Sequence, residues 1–401
     1  MDIIKDIDID DDDIDDIEID AAGTLDLLRE LIEIESINPV LVPGGSGEER
    51  IARRIGRTMA DMGLEVRYQP IGPGRANVVG IMRGAGGGQS LMLNGHTDTV
   101  GGSGVADAAG PVLRSGRVYG RGSLDMKGGL AAMLAAALAL SRSRTRLRGD
   151  LILACVADEE HASRGTELLV REYKSDAAVV CEPTGLKICL AHKGFAWIGV
   201  DVAGRAAHGS LPDEGIDAIV NAGWFLVEVE RLSKEVLAAK SHPLLTPPSL
   251  HASLIKGGSE LSTYPAHCRI DLERRTIPGE TEATVAAEME TLLSRAKERC
   301  PSFAAKFAID FYRPPLEVKA DQPIVARIAE AWAAVTGAPP QFTGMSCWMD
   351  AAILAASGIP AVIFGPDGAG AHAQEEYVDF ASIITAAKVL AATARAFCGY
   401  L

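Results

Sequence analysis

The stretch Leu91-Met-Leu-Asn-Gly-His96-Thr-Asp98-Thr-Val100 runs an apolar strand into a glycine, then sets a histidine and an aspartate two residues apart. Open α/β sheets bind their ligands outside the carboxyl ends of their strands, so a His and an Asp at such an end are candidates for chemistry. Strand-like runs recur on both sides, at 65–69, 77–82, 150–156 and 177–181, and helical spacing of apolar residues appears at 25–34, 48–62 and 165–174. Residues 128–141, rich in Ala and Leu and apolar nearly all round, predict a buried helix. Strands alternating with helices in this way predict an α/β domain with a mostly parallel central sheet.

The rhythm changes near residue 196. Strand 196–202, helix 215–237, strands 249–256 and 267–276, helix 281–298 and strand 303–312 follow the β-α-β-β-α-β order of a ferredoxin-like unit. After Pro314-Pro315 the helix–strand alternation returns, at 322–336, 350–356, 361–364 and 382–397. The expected organisation is an acidic tail at 1–20, a catalytic α/β domain built from 21–195 and 314–401, and a smaller α+β domain inserted at 196–313. A chain of 401 residues is long enough for two cores.

Composition excludes several classes of function. The net charge of −15 leaves no basic face for nucleic acid. Residues 1–20 alone carry −10 of it, in an Ile/Asp alternation with neither the basic start nor the apolar stretch of a secretory signal. That segment reads as a solvated tail. The longest nearly apolar run, 128–140, falls short of the roughly 20 residues a bilayer requires, so no membrane role is expected. Seven scattered cysteines, never spaced as CxxC, suit free thiols in a reducing cytoplasm and argue against a cysteine-rich zinc site.

Further candidates stand at other predicted strand ends and loops. Gly120-Arg-Gly122-Ser-Leu-Asp125-Met-Lys-Gly128-Gly129 precedes the buried helix, but its spacing matches neither phosphate-binding fingerprint. Asp125 there could serve as a helix cap. The run Asp158-Glu159-Glu160 ends a strong strand, and its charges must be met by cations, water or a metal. Glu182 follows strand 177–181, and His372 lies in the Gly-rich loop after strand 361–364. Each is ambiguous singly. Together His96, Asp125, Glu160, Glu182 and His372 are ligand types that hold a pair of divalent ions. Such a pair shares one carboxylate. Glu159, an extra acid beside Glu160, supplies a general base.

Five motifs in order, GHTDTV (95–100), GRGSLDMKGG (120–129), ADEE (157–160), CEPT (181–184) and GPDGAGAHAQEEYV (365–378), make the chain resemble the ArgE/DapE/carboxypeptidase G2/aminoacylase-1 family of metallopeptidases and deacylases, family M20, from about residue 22 onward. The resemblance implies a phosphorylase/hydrolase-like catalytic domain with an inserted lid through which subunits dimerise. It implies that His96, Asp125 and Glu182 hold one metal and Asp125, Glu160 and His372 the other, with Asp125 bridging. Asp98 is then the partner that orients His96, and Glu159 the base that activates the bridging water. In the lid, Gly204-Arg-Ala-Ala-His208-Gly-Ser matches the motif whose histidine stabilises an oxyanion, and Arg275 matches the arginine that binds a substrate carboxylate. Zinc is the expected ion, and cobalt or manganese suit the same donors.

The function so implied is hydrolysis of the amide bond of a small N-acyl-amino acid by a cytoplasmic homodimer. The rival within enzymes is a dipeptidase or carboxypeptidase G2-like peptidase. The rival outside them is a metal-dependent binding protein, which would need neither Glu159 nor His208. Residues 256–265 replace the Asn-rich segment of the desuccinylase branch, which weakens the case for succinyl-diaminopimelate as substrate.

Overall fold

A computed structural model describes residues 17–102, 110–143 and 146–401. Most of the expected acidic tail, 1–16, lies outside the described residues. Its last residues belong to the folded body: Ile17 and Ile19 are buried, and the Asp20 carboxylate accepts the Gly23 N–H as an N-cap.

The chain divides into two compact units, the first comprising residues up to Leu190, Val318–Thr343 and Met349–Leu401, the second Ala191–Glu317 with Gly344–Trp348. Helices α1 (Ala21–Glu33) and α2 (Glu49–Asp61) lead into strands β1 (Glu65–Gly72), β2 (Arg75–Met82), β3 (Leu91–His96), β4 (Val112–Arg114) and β5 (Arg117–Tyr119). Helix α3 (Gly128–Arg142), β6 (Leu151–Val156), α4 (Arg164–Glu172), β7 (Ala177–Val180) and β8 (Ile188–His192) follow. Next come β9 (Gly194–Ala203), α5 (Ala218–Arg231), β10 (Ser249–Gly257), β11 (His267–Thr276), α6 (Glu282–Arg299), β12 (Ala304–Arg313) and β13 (Leu316–Glu317). The chain closes with α7 (Pro323–Thr336), β14 (Phe342–Met345), α8 (Ala351–Ala356), β15 (Ala361–Ile363), β16 (Gly368–Ala369), β17 (Tyr377–Asp379) and α9 (Phe380–Cys398).

In the first unit the main sheet runs β1-β2-β6-β3-β7-β15-β8. Its centre is parallel, β6 with β3, β3 with β7 and β7 with β15, and the flanking pairs are antiparallel. Every residue of β3 and β6 is buried, as expected of strands paired on both sides. Register sets His96 opposite Val156 and Asn94 opposite Val180, so the residues after β3, β6 and β7 emerge at one end of the sheet. Helix α3 is buried along almost its whole length and packs against α9. A Cβ on Gly129, at its start, would lie 2.0 Å from the Cys181 carbonyl oxygen, so glycine lets the Asp125 loop approach the end of β7. The small sheet β16-β17-β5-β4 was not expected, because strands this short carry no readable alternation.

The second unit has the strand order β10-β11-β9-β12, antiparallel throughout. Ala196, Ile198, Val200 and Val202 of β9 face a core closed by Phe225 and Val229 of α5 and by Val285, Met289 and Leu292 of α6. The unit extends past the expected 196–313 because β13 pairs with the end of β8, Leu316 opposite His192. Trp348, in turn, stacks edge-on against His192 and Phe195.

Candidate metal centre

Strand ends of the parallel centre and two nearby turns bring acids and histidines to one place. His96 is the last residue of β3, and Glu182 stands just beyond β7. The run Asp158–Glu160 follows β6, and His372 sits in the turn between β16 and β17 with a left-handed backbone, φ 62°. Asp125 comes from the irregular turn before α3, where its φ and ψ are −115° and 93°. Two groups of ligand atoms result, His96–Asp125–Glu182 and Asp125–Glu160–His372, each with all its atoms within 4.8 Å of one another.

Asp125 serves both groups with different oxygens. His96 Nε2 lies 3.0 Å from Asp125 Oδ1 and 3.5 Å from Glu182 Oε1. His372 Nε2 lies 3.3 Å from Asp125 Oδ2 and 3.1 Å from Glu160 Oε2. Donors bound to one tetrahedral ion at about 2.0–2.2 Å stand about 3.3–3.6 Å apart, so these spacings need little adjustment to close on a metal. Glu160 Oε1 is buried without a hydrogen-bond partner, an orphan that a cation would satisfy. Neutral-to-anionic N and O donors in this number suit a pair of divalent ions.

Burial and the crowding of acids shift the titration of His96, His372, Glu182 and Glu159. Burial opposes charge on His96, but Glu182, Asp125 and Glu159 outweigh it and hold its pKa well above the ordinary value. Hydrogen bonds to Asp125 and Glu160 raise His372 to about 10. Burial, opposed by His96 but aided by Asp125 and Glu160, pushes Glu182 up to about 8. Burial likewise lifts Glu159 well above the carboxylate range, with Glu182, Asp350 and Glu160 adding to it and His96 opposing. Glu159 belongs to neither ligand group.

Asp98 is close to His96 but holds it differently from the expectation. His96 Nδ1 meets the Asp98 main-chain carbonyl oxygen at 2.9 Å, whereas the Asp98 carboxylate is 3.7 Å away. That carboxylate accepts instead from Asn38 Nδ2 and from the main-chain N–H groups of Glu159 and Glu160, at 2.8, 3.1 and 3.2 Å. It therefore fixes the loop that carries the two acids. The turn at Thr97 places the main-chain carbonyl of Asp98 nearer the His96 ring than its carboxylate.

Behind this loop lies a buried network that the sequence did not reveal. Asp158 accepts from Asn38 and, at 2.8 Å, from Arg75, which also forms a two-pronged pair with Glu48. Glu48, Arg75 and Asp158 are 0%, 5% and 0% exposed. Arg75→Met leaves two buried carboxylates without their cation, and a loss of about 3–5 kcal/mol is expected. A denaturant midpoint equal to that of the unchanged protein would contradict it. Asp350 is a second surprise: it is buried, bonded to Thr166 Oγ1 at 2.5 Å, and raised to about 6 by burial.

The remaining expected residues lie in the second unit. His208 is exposed, its Nδ1 hydrogen-bonded to Ser210 Oγ at 2.8 Å. Arg275, on β11, is partly exposed, pairs with Glu273 at 2.7 Å and lies 5.2 Å from the Phe195 ring centre. Its neighbour Arg274 is enclosed and committed to Glu280 and Glu288.

Residues 92–396 match the model of peptidase family M20/M25/M40. The chain is 33% identical to an acetylornithine deacetylase of Myxococcus xanthus over 81% of its own length and 85% of that protein's. It is 27% identical to an acetylornithine deacetylase of Photorhabdus laumondii, over 93% of this chain and 97% of that one. Among solved structures, a tripeptidase of Staphylococcus aureus superposes with a TM-score of 0.78 at 21% identity, covering 94% of this chain and 99% of the other.

Proposed function

The chain belongs to peptidase family M20/M25/M40, and on that premise we propose that it is a two-metal deacylase of small N-acyl-amino acids, of the acetylornithine deacetylase type. It is a metal-dependent hydrolase of amide bonds. The observation that carries the reading is the Asp125 carboxylate, whose two oxygens face two separate histidine-and-carboxylate groups.

His96, Asp125 and Glu182 would hold one divalent ion, and Asp125, Glu160 and His372 the other, with zinc the expected metal and cobalt or manganese suited to the same donors. When bound, such a pair supplies Lewis acidity and acidifies water. The protein's own groups do the rest. Glu159 takes the proton of the attacking water and hands it to the leaving nitrogen. His208 donates to the developing oxyanion, the type of contribution that often dominates acyl transfer. Arg275 receives the substrate carboxylate, a role that its partial exposure allows.

Two measurements test this. Since Asp125 would hold both ions, Asp125→Ala is expected to lose both and His372→Ala chiefly one, read by elemental analysis after dialysis. Two tightly held ions in the Asp125 variant would rule the bridge out. A hydrolysis screen over N-acetyl-, N-succinyl- and N-aroyl-amino acids and dipeptides, with each of zinc, cobalt and manganese, tests the substrate class. Turnover confined to dipeptides would replace the deacylase by the peptidase.

The seven cysteines are free thiols, which supports a cytoplasmic setting. A homodimer is proposed through the second unit. On α5, Leu226 and Val229 fall on the inward phase and pack into the unit's own core. Ile219, Trp224 and Val227 remain exposed, joined by Val220. Beside them β10 is a sheet edge carrying exposed Leu254 and Ile255. An uncovered apolar edge of this kind invites pairing with a second copy.

A further inference from the structure

Glu376 lies four residues beyond His372 and is 3% exposed, yet no ligand group includes it. Its carboxylate is surrounded by donors. Oε1 accepts the main-chain N–H groups of Leu124 and Asp125 at 2.9 and 3.1 Å. Oε2 accepts from the Gly122 N–H at 2.9 Å and from Arg121 Nη1 at 2.7 Å. The same two segments are laced further by Arg121 Nη2 donating to the Ala373 carbonyl at 2.7 Å, and by the Gly120 N–H donating to the Glu376 carbonyl at 3.1 Å. The turn that presents Asp125 has no regular helical ladder of its own, since Asp125 and Met126 are non-helical. Its N–H groups find their acceptor in Glu376 instead.

We infer that Glu376 is a positioning residue that clamps the Asp125 turn to the His372 turn, and so fixes the spacing of the ligands they share. The inference rests on the two-ion reading above. The chemistry is specific to an ionised carboxylate, which is acceptor-only at both oxygens. A glutamine of the same shape carries one NH₂ group. Whichever way the amide is turned, that group faces two donors, either the Leu124 and Asp125 N–H pair or the Gly122 and Arg121 pair. Conservative replacement should therefore fail here, where an ordinary buried hydrogen-bond acceptor would tolerate it. Loss of a partner that orients a metal ligand commonly weakens metal binding by about 10–100-fold.

The test uses the full-length protein stripped of metal and titrated with cobalt(II), followed by equilibrium dialysis and by visible absorption of the bound ion. Glu376→Gln is expected to keep the circular dichroism of the unchanged protein, to lose affinity for one equivalent by about 10–100-fold, and to show an altered cobalt spectrum. Glu376→Asp, which retracts the charge by one methylene, is the second variant should the first fail to fold, and the same weakening is expected of it. Arg121→Met leaves three main-chain donors on the carboxylate and should weaken binding less. Two equivalents held with unchanged affinity and spectrum in either Glu376 variant would overturn the clamp. Fewer than two equivalents in the unchanged protein would instead overturn the two-ion reading on which it stands.

Discussion

Glu159→Gln is expected to lower turnover by about 10²–10⁴-fold while the protein keeps its fold and both ions. Glu159 lies outside the two ligand groups, so removing its charge takes no donor from either. Burial, with Glu182, Asp350 and Glu160 adding to it and His96 opposing, raises its proton affinity well above that of a free carboxylate. Glutamine keeps the volume and removes the proton acceptor. The measurement is steady-state turnover on the best substrate of the acyl screen, alongside metal content. Near-normal turnover in a metal-loaded variant would sink the assignment. Loss of metal together with activity would make Glu159 a ligand rather than a base. The comparison also decides against a non-catalytic binding protein, because metal binding alone has no use for this carboxylate.

How far the sequence led is clearest around this loop. The strand-end candidates His96, Glu160 and Glu182 were legible because an apolar strand that runs into a polar side chain is a strong local pattern, and β3, β6 and β7 are short and buried. The run Asp158-Glu159-Glu160 required neutralisation, but its three acids part company in a way that no local pattern shows. Asp158 turns back to Arg75, from a residue with φ 74°, while Glu160 turns toward His372. Asn38, Glu48, Arg75, Asp350 and Glu376 were missed for a common reason. Each reaches the site by long-range packing, and each in isolation reads as an ordinary polar residue of a helix cap, strand or turn. Asp98 was found, but its contact was misread, since the choice between carbonyl and carboxylate is set by backbone dihedrals.

Two nearly inactive variants, Glu159→Gln and His208→Ala, are expected to regain activity when mixed. The proposed dimer would, by the family resemblance, put His208 to work in the metal site of the partner subunit; here it is exposed, with only Ser210 as hydrogen-bond partner for Nδ1. In a two-fold dimer that shares residues in this way, a mixed pair contains one site with both defects and one with neither. Random exchange makes half of the dimers mixed, so the mixture should recover about one quarter of the activity of the unchanged protein, with each mixed dimer working at about half. Either variant alone stays low, because every one of its sites carries the same defect. The experiment needs subunit exchange to be verified, for example by mass-tagged subunits, and it needs the dimer to be present at the assay concentration. Exposed Ile219, Val220, Trp224 and Val227 on α5, beside the open edge of β10, are the surface expected to disappear on assembly. Val220→Asp combined with Trp224→Asp should therefore give monomers that keep their metal and lose turnover. A protein monomeric by sedimentation yet fully active, or verified exchange with no regain, would place His208 outside any shared site.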